Sequence, residues 1–242
     1  MANILHIETS TNICSVALSR DGQIVLERED REGPNHAKSL APMVEDAVKA
    51  ADAEGVRLDA VAVSAGPGSY TGLRIGVSTA KGLCYGRELK LIGIPTLELL
   101  CVPVLLGDRF FALCESEPET DILLCPMLDA RRMEVYTALY DRALRLKSEV
   151  VPMIVDEQSL QSELAARKVM FFGNGAAKCK EVITHPNAVW VDSIEPIAKN
   201  MMPLAEKAFY QGRFEDTAYF EPFYLKDFVA GKSKSLLPQT KS

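Results

Sequence analysis

The 242-residue chain has little of what a metal centre or a nucleophile site requires. It holds only three histidines (His6, His36, His185), and none has the i, i+4 spacing of a metal-binding helix. Its six cysteines (Cys14, Cys84, Cys101, Cys114, Cys125, Cys179) include no C-x-x-C pair, which excludes a zinc knuckle and a thioredoxin-like motif. Their neighbours are mostly apolar, so reduced, buried thiols and a cytoplasmic protein are expected. No Ser-His-Asp or Cys-His arrangement can be assembled. There is no long run of one charge, and the net charge is −6. Such a chain is a poor candidate for gripping nucleic acid by itself, because Lys and Arg on phosphates supply most of that affinity. The most apolar run, 89–106, is broken by Lys90, Pro95, Glu98 and Pro103. No membrane span is expected, and MANILHIETS lacks the basic-then-apolar order of a signal peptide.

What is present is concentrated in residues 63–82, VSAGPGSYTGLRIGVSTAKG. An apolar stretch over 59–65 ends in Gly66-Pro67-Gly68, and a helix is expected to start soon after. A strand that stops at such a turn and feeds a helix presents unpaired N–H groups, a common seat for a phosphate. The spacing excludes two familiar sites. Gly66, Gly68 and Gly72 give G-x-G-x-x-x-G, one residue too long for the dinucleotide fingerprint, and no Lys-Ser/Thr follows at P-loop spacing. Gly72, Gly76 and Ala80 recur every four residues and share one helix face. A glycine in a helix interior costs about 1 kcal/mol relative to alanine, so this stripe needs a close neighbour. Packing within the monomer and a protein–protein interface satisfy that need equally.

The two halves of the chain share a grammar. Short strands are expected over 3–7, 14–18 and 23–27, with Asp21-Gly22 as a turn. LDARRMEVYTALYD (128–141) repeats IETSTNICSVALSRD (7–21) at an offset of 121, placing Asp129 on Glu8, Ala138 on Ala17 and Leu139 on Leu18. An apolar strand at 169–172 then ends in Gly173-Asn174-Gly175 with a helix expected from Ala176, as the strand before Gly66 does. Further helices are expected over 36–51, 157–167 and 196–211. Pro42 suggests a true start for the first of these near Leu40. The polar CESEPET segment (114–120) reads as the linker. The expected division is a first lobe over 1–105, a second over 106–214, and a tail over 215–242 docking on the first lobe.

IETSTNICSVAL (7–18), NHAKSLAPMVEDAV (35–48), AGPGSYTGLRIGVSTAKGL (65–83), IGIPTLELL (92–100), LDARRMEVYTALY (128–140), FGNG (172–175) and EPFYLKDFVAGKSK (221–234) resemble the TsaB family nearly end to end. This is the noncatalytic bacterial subunit of the tRNA threonylcarbamoyladenosine machinery. The resemblance implies a duplicated actin/hexokinase/Hsp70-like α/β fold, two lobes each with a mixed sheet flanked by helices. It implies pairing with the transferase paralogue TsaD, action of a TsaE-like ATPase on the assembly, and tRNA contact only through the complex. A homodimer is expected in isolation. The family pairs through its first two helices, which shifts the small-residue stripe towards an interface. The implied interface comprises His36, Leu40, Met43, Val44, Ala47, Tyr70, Gly72, Leu73, Gly76, Val77 and Ala80.

TsaD carries H-x-x-x-H for its metal; here Thr96 and Leu100 stand at those positions, so neither a metal nor a catalytic residue is expected. One departure is Glu8-Thr9-Ser10, which has the TsaD form rather than the usual Asp of TsaB relatives. These residues, with Gly66, Gly68, Gly173 and Gly175, mark a vestigial nucleotide site with no required cofactor and room for weak ATP or ADP binding. At Glu8, Thr9 and Ser10 a turn retained for folding, with Thr9 or Ser10 bonding local backbone, is the preferred reading over that site, and a kinase or ATPase of the same fold is the competing function. Asp129, Arg131 and Glu134 either line the cleft or bridge it. Tyr224, Leu225, Lys226 and the basic tail (Lys232, Lys234, Lys241) either reach a partner or dock on the first lobe.

Overall fold

The computed structural model describes residues 2–33, 35–116 and 121–226. Alternating β-branched and small residues build a first sheet from β1 (Ile4–Glu8), β2 (Cys14–Arg20), β3 (Gln23–Asp30), β4 (Ala60–Gly66) and β5 (Lys90–Pro95) in the order β3-β2-β1-β4-β5. β1, β2 and β3 form an antiparallel meander, and β4 and β5 run parallel to β1. The second sheet contains β6 (Ile122–Asp129), β7 (Glu134–Thr137), β8 (Val151–Ile154), β9 (Lys168–Phe172) and β10 (Ala188–Val191). Its order, β10-β9-β6-β7-β8, and its strand directions repeat the first sheet strand for strand. The duplicated two-lobe fold is present.

The repeat differs by one residue from its sequence alignment. Glu8 pairs with Ser15, whereas Asp129 pairs with Val135. The second turn is one residue shorter, so the offset of 121 holds before it and falls to 120 after it. Thr137, opposite Met127, takes the place of Ala17, opposite His6. The Ala17/Ala138 and Leu18/Leu139 identities are therefore out of structural register.

Helices α1 (His36–Ala53) and α2 (Tyr70–Arg87) cover one face of the first sheet, burying Leu40, Val44, Ala47, Val77 and Ala80 against Leu5, Ile7, Val61 and Val63. α1 begins at His36, not near Leu40, and Pro42 lies inside it. Proline removes one helical N–H. Lys38, whose carbonyl loses that bond, and Pro42 are both on the exposed side of the helix.

α3 (Thr96–Leu105) is apolar nearly all round because it sits between the sheets. Leu99 and Val102 pack with the first sheet's other face, and Leu97, Leu100 and Val104 pack with the second. α4 (Asp108–Ser116) follows, so Cys114 to Ser116 are helical rather than linker. In the second lobe, α5 spans only Gln161–Ala166, and one 3-10 turn (Ala177–Cys179) replaces the helix expected from Ala176.

Residues 198–210, assigned from sequence to the second lobe, lie on the first. Leu204 and Ala208 of α6 (Met202–Tyr210) pack with Ile4, Ala62 and Ile92. Just before α6, Ala198 N–H donates to Ser15 Oγ at 2.9 Å. Beyond α6, residues 215–226 run along the first lobe: Glu215 N–H donates to the Leu91 carbonyl at 2.9 Å, and Lys81 Nζ reaches the Ala218 and Phe220 carbonyls at 3.0 Å. Lys232, Lys234 and Lys241 lie outside the described residues, as does 117–120 of the expected linker.

Candidate functional site

The glycine-rich run is organised around the β1–β2 turn. Ser69 caps α2, its hydroxyl accepting the Gly72 N–H, and its own N–H donates to the Ser10 carbonyl at 2.7 Å. Thr9 Oγ1 donates to the Gly72 carbonyl at 2.8 Å. A Cβ at Gly68 would lie 2.5 Å from the Ser10 carbonyl oxygen; one at Gly72, 2.0 Å from that of Thr9; one at Gly76, 2.2 Å from Thr9 Oγ1. The G-x-x-x-G-x-x-x-G spacing of Gly68, Gly72 and Gly76 therefore serves the approach of residues 9 and 10 to the helix. That stripe packs within the monomer.

Glu8 faces inward as well. Its Oε1 accepts the Ser10 N–H at 2.5 Å, and its Oε2 is buried without a partner. Burial raises its pKa to about 7, although hydrogen bonds from Ser10 oppose the shift. Gly66 (φ +98°) is covered by the tail, with the Phe223 carbonyl oxygen 2.5 Å from where a Cβ would stand. The second turn is similar. A Cβ at Gly173 (φ +104°) would lie 2.4 Å from the Met127 carbonyl oxygen, and one at Gly175, 2.8 Å from the Leu128 carbonyl carbon. The glycines assigned to a vestigial nucleotide site thus meet this chain's own backbone.

Between the two turns lies a cleft of about 570 Å3, lined by Ser10, Ser69, Asp129, Arg131, Tyr224 and Lys226 among others. Asp129 pairs with Lys178, whose Nζ also donates to the Glu134 carbonyl at 2.7 Å. Glu134 pairs with Lys226, Nζ to Oε1 2.6 Å. The three charges single out both features expected of them: Asp129 and Arg131 line the cleft, and Glu134 bridges it. Arg131 (φ +70°) and Arg132 (φ +49°) form the left-handed tip of the β6–β7 hairpin. Among the described residues, no group of three His, Cys, Asp or Glu side chains is gathered where it could hold a metal ion. Thr96 and Leu100 are fully buried in α3.

The expected pairing surface requires correction. His36, Leu40, Val44, Ala47, Gly72, Leu73, Gly76, Val77 and Ala80 are buried in the monomer, and only Met43 and Tyr70 are partly exposed. The outer face of the two helices is made of other residues: Ala37, Ala41 and Glu45 on α1, and Arg74, Ser78, Gly82 and Gly86 on α2. A Cβ at Gly82 or Gly86 would meet nothing within 4 Å, and Tyr85 beside them is 86% exposed. Ser78, Gly82 and Gly86 repeat the four-residue spacing on an exposed side of α2. That signal was available in the sequence, overshadowed by the larger stripe.

The Escherichia coli protein named tRNA threonylcarbamoyladenosine biosynthesis protein TsaB is 31% identical over 240 residues, covering 95% of this chain and 96% of its own length. The chain belongs to the TsaB family. The Bacillus subtilis TsaB is 33% identical over 184 residues, 74% of each chain. A family model described as TsaD, tRNA N6-adenosine threonylcarbamoyltransferase, matches residues 31–232. Among solved structures, YeaZ from Pseudomonas aeruginosa superposes with a TM-score of 0.73 at 26% identity, covering 93% of this chain and all of that one. The TsaB family takes part in tRNA threonylcarbamoyladenosine biosynthesis, so this chain's place is in that pathway.

Proposed function

We propose that this chain is the noncatalytic scaffold of a tRNA threonylcarbamoyltransferase, pairing with a TsaD-like subunit through the outer faces of α1 and α2. The observation that carries the reading is Gly82, inside α2, and Gly86, in its last turn, both with open space beside them and an exposed tyrosine between. Gly82 costs about 1 kcal/mol in the isolated helix, and a second helix at close range supplies the compensation that the monomer does not. The same face lets the chain pair with itself in isolation. A TsaE-like ATPase acts on the assembly, and tRNA is reached through the complex. The setting is the cytoplasm; no described helix is long and apolar enough to cross a membrane.

Thr96 and Leu100 support a noncatalytic role, since an apolar side chain offers no metal ligand and a threonine hydroxyl a feeble one. No cofactor is required, and any ATP or ADP binding is weak, because Phe223 covers Gly66 and Glu8 points inward. The same contacts weigh against a small-molecule kinase or ATPase. Reconstituted transfer tests the proposal. A TsaD-like enzyme from the same organism, given threonylcarbamoyl-adenylate and tRNA, is expected to need this chain, and Gly82→Arg to lose at least about tenfold of the stimulation. Equal transfer without the chain sinks the scaffold role, and ATP turnover by the isolated chain favours the kinase-like alternative.

A further inference from the structure

We infer that residues 223–226 are a latch that ties the two lobes across the cleft. The segment leading to it is held to the first lobe by the Leu91 carbonyl and by Lys81. Phe223 N–H then donates to the Ala65 carbonyl at 2.7 Å, at the end of β4. Gly66 is glycine where it must be, because the Phe223 carbonyl occupies the space of a Cβ. Tyr224 lays its ring 4.7 Å from that of Tyr70, at the start of α2. All of these anchors belong to the first lobe.

Lys226 crosses. Its ammonium sits between both oxygens of Glu134, at 2.6 and 2.5 Å, and Glu134 belongs to β7 of the second lobe. The Glu134 side chain is 19% exposed and that of Lys226 45%, so the pair is partly shielded from solvent rather than a freely hydrated surface contact. Lys178, bound to Asp129 and to the Glu134 carbonyl, holds the hairpin that presents the carboxylate. The contacts that precede Phe223, at the Leu91 carbonyl and at Lys81, do not depend on Lys226, so the 223–226 segment opens at one ion pair while its root stays seated. Tyr224, Leu225 and Lys226 line the cleft, so opening there changes its shape and access.

Hydrogen exchange on the full-length protein tests this. Lys226→Glu and Glu134→Lys, each placing like charges together, are expected to speed exchange of the Phe223 amide and of the 130–134 hairpin by about tenfold. The reversed pair, Lys226→Glu with Glu134→Lys, should return both to near the parental rate. Amides of Val61 and Val63 in β4 report whether the core is intact; Lys226→Met, a change at one exposed side chain, carries the test if a reversal disturbs it. Added salt should accelerate exchange at the hairpin more in the parent than in Lys226→Met, where only the Lys178–Asp129 pair remains to be screened. Unchanged exchange in the single variants, or a double variant no better protected than the singles, overturns the latch.

Discussion

Thr9 decides where glycine is required in this molecule. Its carbonyl and hydroxyl fill the places of two β-carbons on α2, at Gly72 and Gly76. Gly76→Ala is expected to displace Thr9 from the Gly72 carbonyl and to destabilise the monomer by about 1–3 kcal/mol, read by urea denaturation. Gly82→Ala, with open space beside it, should stabilise the monomer by up to about 1 kcal/mol. Equal effects at the two positions would contradict the assignment of faces. The sequence shows that a small-residue stripe needs a close neighbour, but spacing alone does not say whether that neighbour is a strand turn or another protein.

Two buried ionisable groups on β1 set opposing pH dependences. Burial lowers the His6 pKa from 6.5 to about 3, with Nε2 hydrogen-bonded to Ser19 Oγ at 2.8 Å. The unfolded chain therefore binds a proton that the folded one refuses, and stability present above pH 6.5 is lost as pH falls through about 3, at about 1.4 kcal/mol per pH unit. Glu8 acts in reverse, since its folded pKa is raised from 4.5 to about 7. Its contribution is fully present below 4.5 and declines as pH rises through 7. Glu8→Gln should consequently gain on the parent by about 2–3 kcal/mol between pH 5 and pH 8. A gap that stays constant over that interval contradicts the inward, protonated carboxylate.

At the scale of elements, α2 has two working faces. The inner one carries Gly72, Gly76 and Ala80 against the sheet and the β1–β2 turn; the outer one carries Ser78, Gly82, Tyr85 and Gly86 to solvent. Tyr85→Ala is expected to weaken pairing with a TsaD-like subunit by about tenfold or more while the denaturation midpoint stays unchanged. Unaltered pairing would move the interface elsewhere. Four strands of the first lobe, with α1 and α2, were legible because their apolar periodicities are strong and their turns carry Gly, Asp or Pro; β5 and α3 were not separated, because both lie in the one apolar run over 89–106. The helices of the second lobe were less so: α5 and the 3-10 turn after Gly175 are short, and sequence grammar overextended both. The return of 198–210 to the first sheet was not legible, since a buried helix face has the same pattern whichever sheet it covers.

For the whole molecule, duplication was read correctly from the order of elements, although two of its supporting identities lie out of register. Resemblance placed the expected pairing residues on α1 and α2, where most of them are buried, because motif matching follows residues that fold the monomer. Backbone and tail contacts cover the glycines beside the cleft, Gly66 under Phe223 and Gly68 under Ser10, and the Lys226–Glu134 pair spans it. On the proposed scaffold role, the chain does its work at its outer surface.

Size-exclusion chromatography with light scattering measures that directly, on the chain alone and mixed with the TsaD-like subunit of the same organism. The scaffold account predicts a mass of two 26.6-kDa chains alone, converting to a stoichiometric heterocomplex on mixing, with both assemblies lost in Gly82→Arg. A 26.6-kDa monomer that ignores the TsaD-like subunit would contradict it.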